Sequence, residues 1–320
     1  MPLSEKLVIQ RIRQRTRVGK HVLHGIGDDC AVLRIPRGHD ALLTTDFSLE
    51  GVHFRREWHP PDSVGHRCLT RGLSDIAAMG GEPIAAFLSL AAPATLPQPW
   101  IDDFLNGLLR LARKFRVTLA GGDVAESNSG VLADIVVLGS VPRGKAILRS
   151  RARPGDSIYV TGQLGESATV IEGLLSGNKL MARVGDYPRH FFPMPRIVVG
   201  RVLRQRKIAS AMIDISDGLS TDLDHICKES GVGAVVHADA LPIAHLGKTS
   251  HRVDLESALH GGEAYELLFT APRRQQVPAS IAGIPITKIG EIVAQPGMRL
   301  QLSNGKARPL APRGWQHFSK

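Results

Sequence analysis

Residues 211–230 read AMIDISDGLSTDLDHICKES and contain a strand, a turn and a helix in succession. The first residues of this stretch are mostly apolar and predict a buried strand, and Gly218 predicts a turn. Residues 220–230 predict a helix that ends at Gly231, because glycine commonly follows the C-terminus of a helix. Asp214 interrupts the apolar strand, and a buried carboxylate is costly without a partner. The stretch therefore predicts an α/β architecture with a strand carboxylate that needs a partner.

Strand and helix patterns alternate on both sides of this stretch. The expected helices cover residues 5–16, 62–79, 99–115, 165–176, 193–206 and 220–230. The expected strands cover residues 41–46, 85–90, 117–120, 131–141, 157–161 and 211–216. Glycine and proline interrupt the connector at residues 143–156, so we expect two domains, residues 1–145 and residues 146–320. The alternation predicts the α/β class, with α+β as the related alternative.

The composition is that of an ordinary globular protein. Hydrophobic residues make up 43% of the 320 residues, and charged residues make up 22%. The three cysteines, Cys30, Cys68 and Cys227, lie far apart, which predicts neither a disulfide framework nor a zinc site. No apolar run reaches the length of a membrane span, and the N-terminus lacks the apolar core of a signal peptide. We therefore expect a cytoplasmic protein with no membrane partner.

The formal net charge is +10, and two kinds of partner could account for it. Basic residues are spread along the chain rather than clustered, and aromatic residues, which would stack on bases, make up only 5%. A basic, solvated surface is the simplest interpretation, and it would also attract a phosphate-rich substrate. We do not expect a nucleic-acid partner.

The chemistry-bearing pattern is a series of aspartates beside glycines or at the ends of expected strands. They are Asp28 and Asp29 in GIGDDC, Asp46 after two threonines, Asp75 in an expected helix, Asp123 after two glycines, and Asp214 and Asp217 in DISDG. Magnesium prefers oxygen ligands and usually binds a few carboxylates together with substrate phosphates, which glycine-rich backbone can approach closely. Each motif alone is also an ordinary turn signal, and Asp75 alone also fits a solvated helix face.

The familiar phosphate-binding and catalytic scaffolds are absent from the sequence. There is no GxxxxGK[ST] loop, no GxSxG or HExxH motif and no protein-kinase signature. The nearest glycine-rich segment, TGQLGES at residues 161–167, lacks the third glycine of a dinucleotide-binding turn and predicts a tight strand-to-helix turn. A phosphate-binding site in this chain would therefore depend on the aspartates.

Taken in order, eight segments resemble the thiamine-monophosphate kinase family, a branch of the superfamily that includes aminoimidazole ribonucleotide synthetase and selenophosphate synthetase. The segments are GIGDDCAVL (25–33), TTDFSLEGVHF (44–54), LSDIAAMGGEP (73–83), LAGGDVAES (119–127), ILRSRARPGD (147–156), MIDISDGLSTDLDHI (212–226), LHGGEAYELLFT (259–270) and GWQHF (314–318). They cover the chain nearly end to end. The EGVHF, GGEAYELLFT and terminal aromatic segments are the most specific to the thiamine-phosphate branch.

The resemblance implies a two-domain PurM-like fold and a phosphoryl transfer. The N-terminal α/β domain would bind ATP and magnesium and pair with its copy in a homodimer, and a C-terminal α/β domain would follow it. ATP and thiamine monophosphate would give ADP and thiamine diphosphate by direct in-line transfer. Several magnesium ions would assist the transfer, and no covalent nucleophile is expected.

The resemblance also implies roles for individual residues. The metal ligands would be Asp29, Thr44, Thr45, Asp46, Asp75, Asp123, Asp214 and Asp217, with the threonines contributing hydroxyl or carbonyl oxygens. The nucleotide would contact Gly122, Asp123, Arg149 and Ser216, and thiamine monophosphate would contact His53, Glu263 and Trp315. From the residues alone, His53 also fits a core histidine, and Trp315 also fits a residue that anchors the C-terminus. The number of metal ions stays open, and the motif favours Asp29 over Asp28 as the ligand.

Some positions depart from the family pattern. Phe47 stands where threonine is usual, Gly72 where asparagine is usual, and Ala264 where a second acid usually follows the glutamate. None of the expected metal aspartates is lost, so the departures concern the acceptor more than the metal. Two alternatives follow from them: a related ATP-dependent enzyme acting on another substrate, and a non-catalytic nucleotide-binding protein.

Overall fold

The computed structural model describes residues 5–27, 29–246 and 253–318, and the chain divides into two compact units. Among the described residues, the first unit takes those up to Ile76, together with Gly81–Gly144 and Phe191–Pro193. The second unit takes Ala77–Gly80, Lys145–His190 and the described residues from Met194 onwards. No helix in the described part of the chain is long and apolar enough to cross a membrane.

In its described residues, the first unit contains a four-stranded sheet, a two-stranded ribbon and three helices. Its helices are α1 (Glu5–Arg15), α2 (Pro61–Ala78) and α3 (Gln98–Phe115). Its strands are β1 (Val22–His24), β2 (Val32–Leu33), β3 (His39–Leu49), β4 (Glu82–Ala92), β5 (Thr118–Glu126) and β6 (Leu132–Pro142). The sheet order is β3-β6-β4-β5, in which β6 is antiparallel to both of its neighbours and β4 is parallel to β5.

Helix α2 packs on one face of this sheet, and the face is defined by alternation along the strands. On β6, Ala133, Ile135 and Val137 are buried on that face. Gly72 allows the close approach of the helix, because a Cβ there would lie 2.5 Å from the Val137 Cγ2 atom. The departure from the family pattern at this position thus coincides with tight packing between helix and sheet.

The second unit is built around an eight-stranded, mainly antiparallel sheet. Its helices are α4 (Glu166–Leu175), α5 (Pro188–Phe191), α6 (Ile197–Gln205), α7 (Leu219–Ser230) and α8 (Leu255–His260), with 3-10 turns at Arg149–Arg151, Lys179–Ala182 and Ala238–Ala240. Its strands are β7 (Ser157–Thr161), β8 (Ala211–Asp214), β9 (Gly233–His237), β10 (Leu267–Ala271), β11 (Ser280–Ile281), β12 (Ile284–Val293), β13 (Gly297–Gln301) and β14 (Ala307–Pro309). The order is β14-β13-β9-β12-β7-β10-β8, and β11 pairs with β12.

The strand–turn–helix unit expected at residues 211–230 is confirmed as β8 and α7. Gly231 caps α7 with a left-handed φ of 66°, and its N–H group bonds to the carbonyls of Cys227 and Lys228. Helix α6 begins at Ile197 rather than near residue 193, because Pro193 and Pro195 cannot donate hydrogen bonds within a helix.

Two aspartates lie within strands rather than at strand ends, which corrects the sequence interpretation. Strand β3 continues past Asp46 to Leu49, and β5 continues past Asp123 to Glu126. Asp46 pairs with Ile135 and Asp123 pairs with Ser89 in the sheet. The ladder partners satisfy the backbone, so the low strand propensity of aspartate does not end the strands.

Candidate functional site

A cavity of about 520 Å³ in the first unit brings together three of the expected site residues. The loop after β1 contributes Asp29, and β5 contributes Gly122 and Asp123. Ile9 and Ile12 of α1 supply part of its apolar wall. The cavity therefore combines exposed carboxylates, glycine backbone and an apolar surface. Asp28 lies outside the described residues.

Gly122 is required by the geometry of β5 where it borders this cavity. Its φ is +149°, and a Cβ there would lie 1.9 Å from the Leu88 carbonyl oxygen of the neighbouring parallel strand. A side chain would displace one of the two strands. The missing side chain also leaves the backbone accessible to a ligand.

A second group in the first unit joins β3 to α2. The Thr44 hydroxyl donates a hydrogen bond to the Asp75 carboxylate on α2. Asp46 follows two residues after Thr44, so it shares that face of the strand, and both side chains are half-buried. Thr45 lies on the opposite face, where its hydroxyl donates to Asp134 Oδ1 at 2.8 Å. Thr45 can therefore join Thr44 and Asp75 only through its backbone.

His53 lies in the loop that follows β3 and is half-buried rather than part of the core. The Nδ1 atom of its ring accepts a hydrogen bond from the Leu49 backbone N–H group at 3.0 Å. The backbone N–H group of His53 donates to the Leu49 carbonyl oxygen at 2.9 Å. When the ring is neutral, the proton is therefore on Nε2. Glu50 holds the loop by accepting from Arg56 Nε at 2.5 Å and from the Val131 N–H group at 2.8 Å.

In the second unit, the loop at residues 215–218 is held by backbone hydrogen bonds from two other segments. The Glu263 N–H group donates to the Ser216 carbonyl at 2.7 Å, and the Trp315 N–H group donates to the Asp217 carbonyl at 2.9 Å. The loop thus brings together four of the expected site residues. The Trp315 side chain is 52% exposed, so it is available to a ligand and does not anchor the C-terminus by burial.

Buried carboxylates crowd the start of α7. Asp214 is 3% exposed and Asp222 is 2% exposed. The Asp222 carboxylate accepts from the N–H groups of Asp217, at 3.2 Å, and Gly218, at 3.0 Å. Burial raises the pKa of Asp222 to about 8, and the charges of Asp214 and Asp217 add to the increase. Asp217, Asp222 and His225 also bring potential ligand atoms within 4.8 Å of one another.

Sequence reasoning overlooked Asp222 and Asp134. Asp222 has the appearance of an ordinary acidic residue in the first turn of a helix, where it complements the helix dipole. Asp134 carried a usable signal, because it interrupts the apolar segment VLADIVVLGSV as Asp214 interrupts the apolar run at residues 211–215.

Arg149 lies apart from these hydrogen-bonded groups but on a neighbouring element. It is exposed on the 3-10 turn Arg149–Arg151, which packs against β8 and α7. Its carbonyl oxygen accepts from the Ser230 hydroxyl at 2.8 Å, which fixes the turn to the end of α7. The turn is therefore fixed at the C-terminal end of α7, whereas the loop at residues 215–218 precedes the N-terminal end of that helix.

The raised pKa of Asp222 predicts that the metal-free protein loses stability as the pH rises. Between the ordinary aspartate value of 3.8 and about 8, the folded chain retains a proton on Asp222 that the unfolded chain releases. The free energy of unfolding therefore decreases across this range. Urea unfolding in EDTA at about pH 5 and about pH 8.5 measures the decrease.

Two variants isolate the Asp222 contribution from other titrating groups. In Asp222→Asn, the unfolding free energy should decrease much less between the two pH values than it does in the unchanged chain. Asp224 lies on the same helix, and its carboxylate pairs with Lys228 at 2.6 Å. Asp224→Asn should therefore show the same decrease in unfolding free energy as the unchanged chain. An unchanged pH dependence in Asp222→Asn would show that Asp222 does not hold the proton.

Comparisons with known proteins match both halves of the chain. Residues 27–141 match the family model "AIR synthase related protein, N-terminal domain", and residues 153–303 match "AIR synthase related protein, C-terminal domain". The chain is 37% identical over 329 aligned positions to the thiamine-monophosphate kinase of Salmonella typhimurium, covering 100% of this chain and 99% of the relative.

Solved structures give the same grouping. The crystal structure of thiamine-monophosphate kinase from Stenotrophomonas maltophilia K279a matches with a TM-score of 0.84 at 36% identity, covering 96% of this chain and 99% of that one. The structure described as AaThiL complexed with AMPPCP and TMP matches with a TM-score of 0.77 at 31% identity, covering 98% and 95%. The expected two-domain PurM-like fold is confirmed.

Proposed function

The chain belongs to the thiamine-monophosphate kinase family, and we therefore propose that it transfers the γ-phosphoryl group of ATP to thiamine monophosphate, forming ADP and thiamine diphosphate. The observation that carries this proposal is that the similarity runs over the full length of this chain and of its relative, so both units are included.

The donor sets described above support magnesium binding. In the first unit, the ligands would be Asp29, Thr44, Asp46, Asp75 and Asp123, with Thr45 contributing its backbone carbonyl. In the second unit, they would be Asp214 and Asp217. The raised pKa of Asp222 supports a cation beside them, because a divalent ion would offset the repulsion among Asp214, Asp217 and Asp222. When bound, magnesium neutralises phosphate charge, and the all-oxygen donor set suits it.

The nucleotide would be held by backbone and by fixed positive charge. Gly122 would admit the phosphates close to β5, because it has no side chain. The Arg149 guanidinium would donate to phosphate oxygens, for which its planar geometry is suited. Ser216 would offer its hydroxyl beside Asp217 in the second unit. Residues 1–145 would form the ATP- and magnesium-binding domain, and residues 146–320 would form the C-terminal domain.

The acceptor would be recognised by three side chains of different chemistry. The half-exposed Trp315 ring would stack on the cationic thiazolium, and the Glu263 carboxylate would accept hydrogen bonds from the aminopyrimidine. His53 would donate from Nε2, since its Nδ1 atom already accepts from the Leu49 N–H group. Trp315 would thus supply a cation-binding face and Glu263 a hydrogen-bond acceptor in the second unit, and His53 would supply a hydrogen-bond donor from the first unit.

The reaction needs no nucleophilic side chain. A phosphate oxygen of thiamine monophosphate would attack the γ-phosphorus in line, and the bond from the γ-phosphorus to the bridging oxygen of ADP would break. The protein would then contribute positioning and charge neutralisation, which are the main requirements for phosphoryl transfer. The many aspartates, and the absence of the common nucleophile motifs from the sequence, agree with a protein that positions its substrates and neutralises charge.

A homodimer would cover the face of the first-unit sheet opposite α2. Leu43, 71% exposed, and Phe47, 56% exposed, lie on that face of β3, on either side of Thr45. Exposed apolar side chains in a row on a sheet are typical of a surface that packs against another protein. Phe47, which replaces the usual threonine, would strengthen such an interface. The cytoplasmic location stays a prediction.

A substrate panel tests the proposed activity. Purified chain with ATP and magnesium is offered thiamine monophosphate, thiamine, or no acceptor, and ADP release is followed. The proposal expects ADP release with thiamine monophosphate and only background release with thiamine, which has no phosphate to attack. Equal ADP release above background in all three would indicate that water accepts the phosphoryl group and that thiamine monophosphate does not. Nucleotide binding without any release would indicate a non-catalytic binding protein.

A further inference from the structure

Two residues of the segment GGEAY (261–265), which contains Glu263, have a backbone conformation that residues other than glycine rarely adopt. Glu263 has a φ of 61° and Tyr265 has a φ of 51°. Such left-handed conformations are uncommon outside glycine and persist only where the surroundings impose them. Two within three residues mark a segment whose shape is strongly constrained.

Hydrogen bonds to the loop at residues 215–218 impose this conformation. The Glu263 N–H group donates to the Ser216 carbonyl at 2.7 Å, and the Tyr265 N–H group donates to the Ile215 carbonyl at 2.9 Å. Gly262 permits the approach, since a Cβ there would lie 2.6 Å from the Ser216 carbonyl oxygen. The segment is thus fixed directly to the loop that carries Ser216 and Asp217.

The side chains of this segment also meet. Tyr265 is 1% exposed, and its hydroxyl donates a hydrogen bond to Glu263 Oε1 at 3.2 Å. A buried aromatic ring is held by its packing, whereas a glutamate side chain has several rotamers of similar energy. The hydroxyl therefore favours one orientation of the carboxylate. Ala264 supplies no second carboxylate, so Glu263 is the only acid in the GGEAY segment.

We propose that Tyr265 is a positioning residue for the acceptor, whose hydroxyl fixes the Glu263 carboxylate before a cationic heteroaromatic substrate with N–H donors binds. This inference rests on the proposed function, because it assigns Glu263 to the acceptor. A carboxylate has several lone-pair positions, so one oxygen can accept from the hydroxyl while the same group also binds a substrate N–H donor. Preorganisation of this kind lowers the cost of ordering the side chain during binding.

The matched pair of variants is Tyr265→Phe and Tyr187→Phe. Both tyrosines are fully buried in the second unit, and each variant removes one hydroxyl and keeps the ring. Within the described residues, the Tyr187 hydroxyl makes no hydrogen bond, so removing this hydroxyl does not change the orientation of a carboxylate. Unfolding midpoints of both variants establish that the ring packing is retained.

Steady-state kinetics with thiamine monophosphate and ATP separate positioning from a purely structural role. For Tyr265→Phe we expect the KM for thiamine monophosphate to rise by about tenfold, the scale of a hydrogen bond to a charged group. The KM for ATP and the kcat should stay within about twofold of the unchanged chain, because the hydroxyl acts only on the acceptor side. Tyr187→Phe should leave all three constants unchanged. A normal acceptor KM in Tyr265→Phe, or equal changes in both variants, would overturn the inference.

A double-substitution cycle tests whether Tyr265 acts through Glu263. In a Glu263→Gln background, Tyr265→Phe should change the acceptor KM much less than it does alone. If the effects of the two substitutions on the acceptor KM were fully additive in free energy, Tyr265 would not act through Glu263. Turnover of thiamine monophosphate by the unchanged chain is measured first. Its absence would count against the proposed function itself, whereas turnover with an unaffected Tyr265→Phe variant would count only against this inference.

Discussion

Asp75→Asn should lower kcat by at least about a hundredfold while leaving the unfolding midpoint close to that of the unchanged chain. The asparagine keeps the shape of the side chain and can still accept the hydrogen bond from Thr44. It loses the charge that would hold magnesium against the transferred phosphate. The expected result is therefore a loss of turnover without a loss of fold. Steady-state turnover at saturating magnesium, together with thermal unfolding, measures both effects.

Asp103→Asn is the control for this substitution. Asp103 is exposed on α3, and from the described residues it accepts only a weak hydrogen bond, from Asn106 at 3.3 Å, so its replacement should leave kcat unchanged. A near-normal kcat in Asp75→Asn would exclude Asp75 as a metal ligand. A large decrease in unfolding temperature would instead assign Asp75 a structural role through its contact with Thr44.

Asp214→Asn should affect activity and stability in opposite directions. The substitution removes a proposed metal ligand, so we expect kcat to fall by about two orders of magnitude or more. It also removes one of the charges that raise the pKa of Asp222. In the absence of metal, the variant should therefore be more stable than the unchanged chain, by about 1 kcal/mol or a few degrees in Tm.

Thermal unfolding with EDTA and with magnesium distinguishes these contributions. Magnesium should raise the Tm of the unchanged chain more than that of Asp214→Asn, since a ligand that binds only the folded state stabilises that state. Asp224→Asn, whose carboxylate pairs with Lys228, should respond to magnesium as the unchanged chain does. A lower Tm for Asp214→Asn in EDTA would show that Asp214 stabilises the metal-free fold rather than straining it.

Periodicity and glycine placement predicted most of the fold. The unit formed by β8 and α7 was predictable because an apolar run, an Asp-Gly turn and a terminal glycine all indicate the same structure. Strand ends were less predictable where aspartate occurs. Asp46 and Asp123 were expected to end or follow strands, yet both are paired within them, because neighbouring strands decide how far a ladder extends.

The parts of the site that the sequence missed depend on contacts between distant residues. Asp222 becomes unusual only because α7 begins beside Asp214 and Asp217. The contact between Tyr265 and Glu263 depends on two left-handed residues, and nothing in the letters GGEAY predicts them. Gly72 was noted as a departure from the family, but its packing against Val137 could be found only from the structure.

The most direct measurement is to follow the phosphoryl group itself. The unchanged chain is incubated with magnesium, thiamine monophosphate and ATP labelled in the γ-phosphate, and the products are separated. The label should appear in thiamine diphosphate in an amount equal to the ADP formed, and EDTA should abolish the transfer. Label recovered only as inorganic phosphate, or ADP formed without thiamine diphosphate, would contradict the proposed transfer.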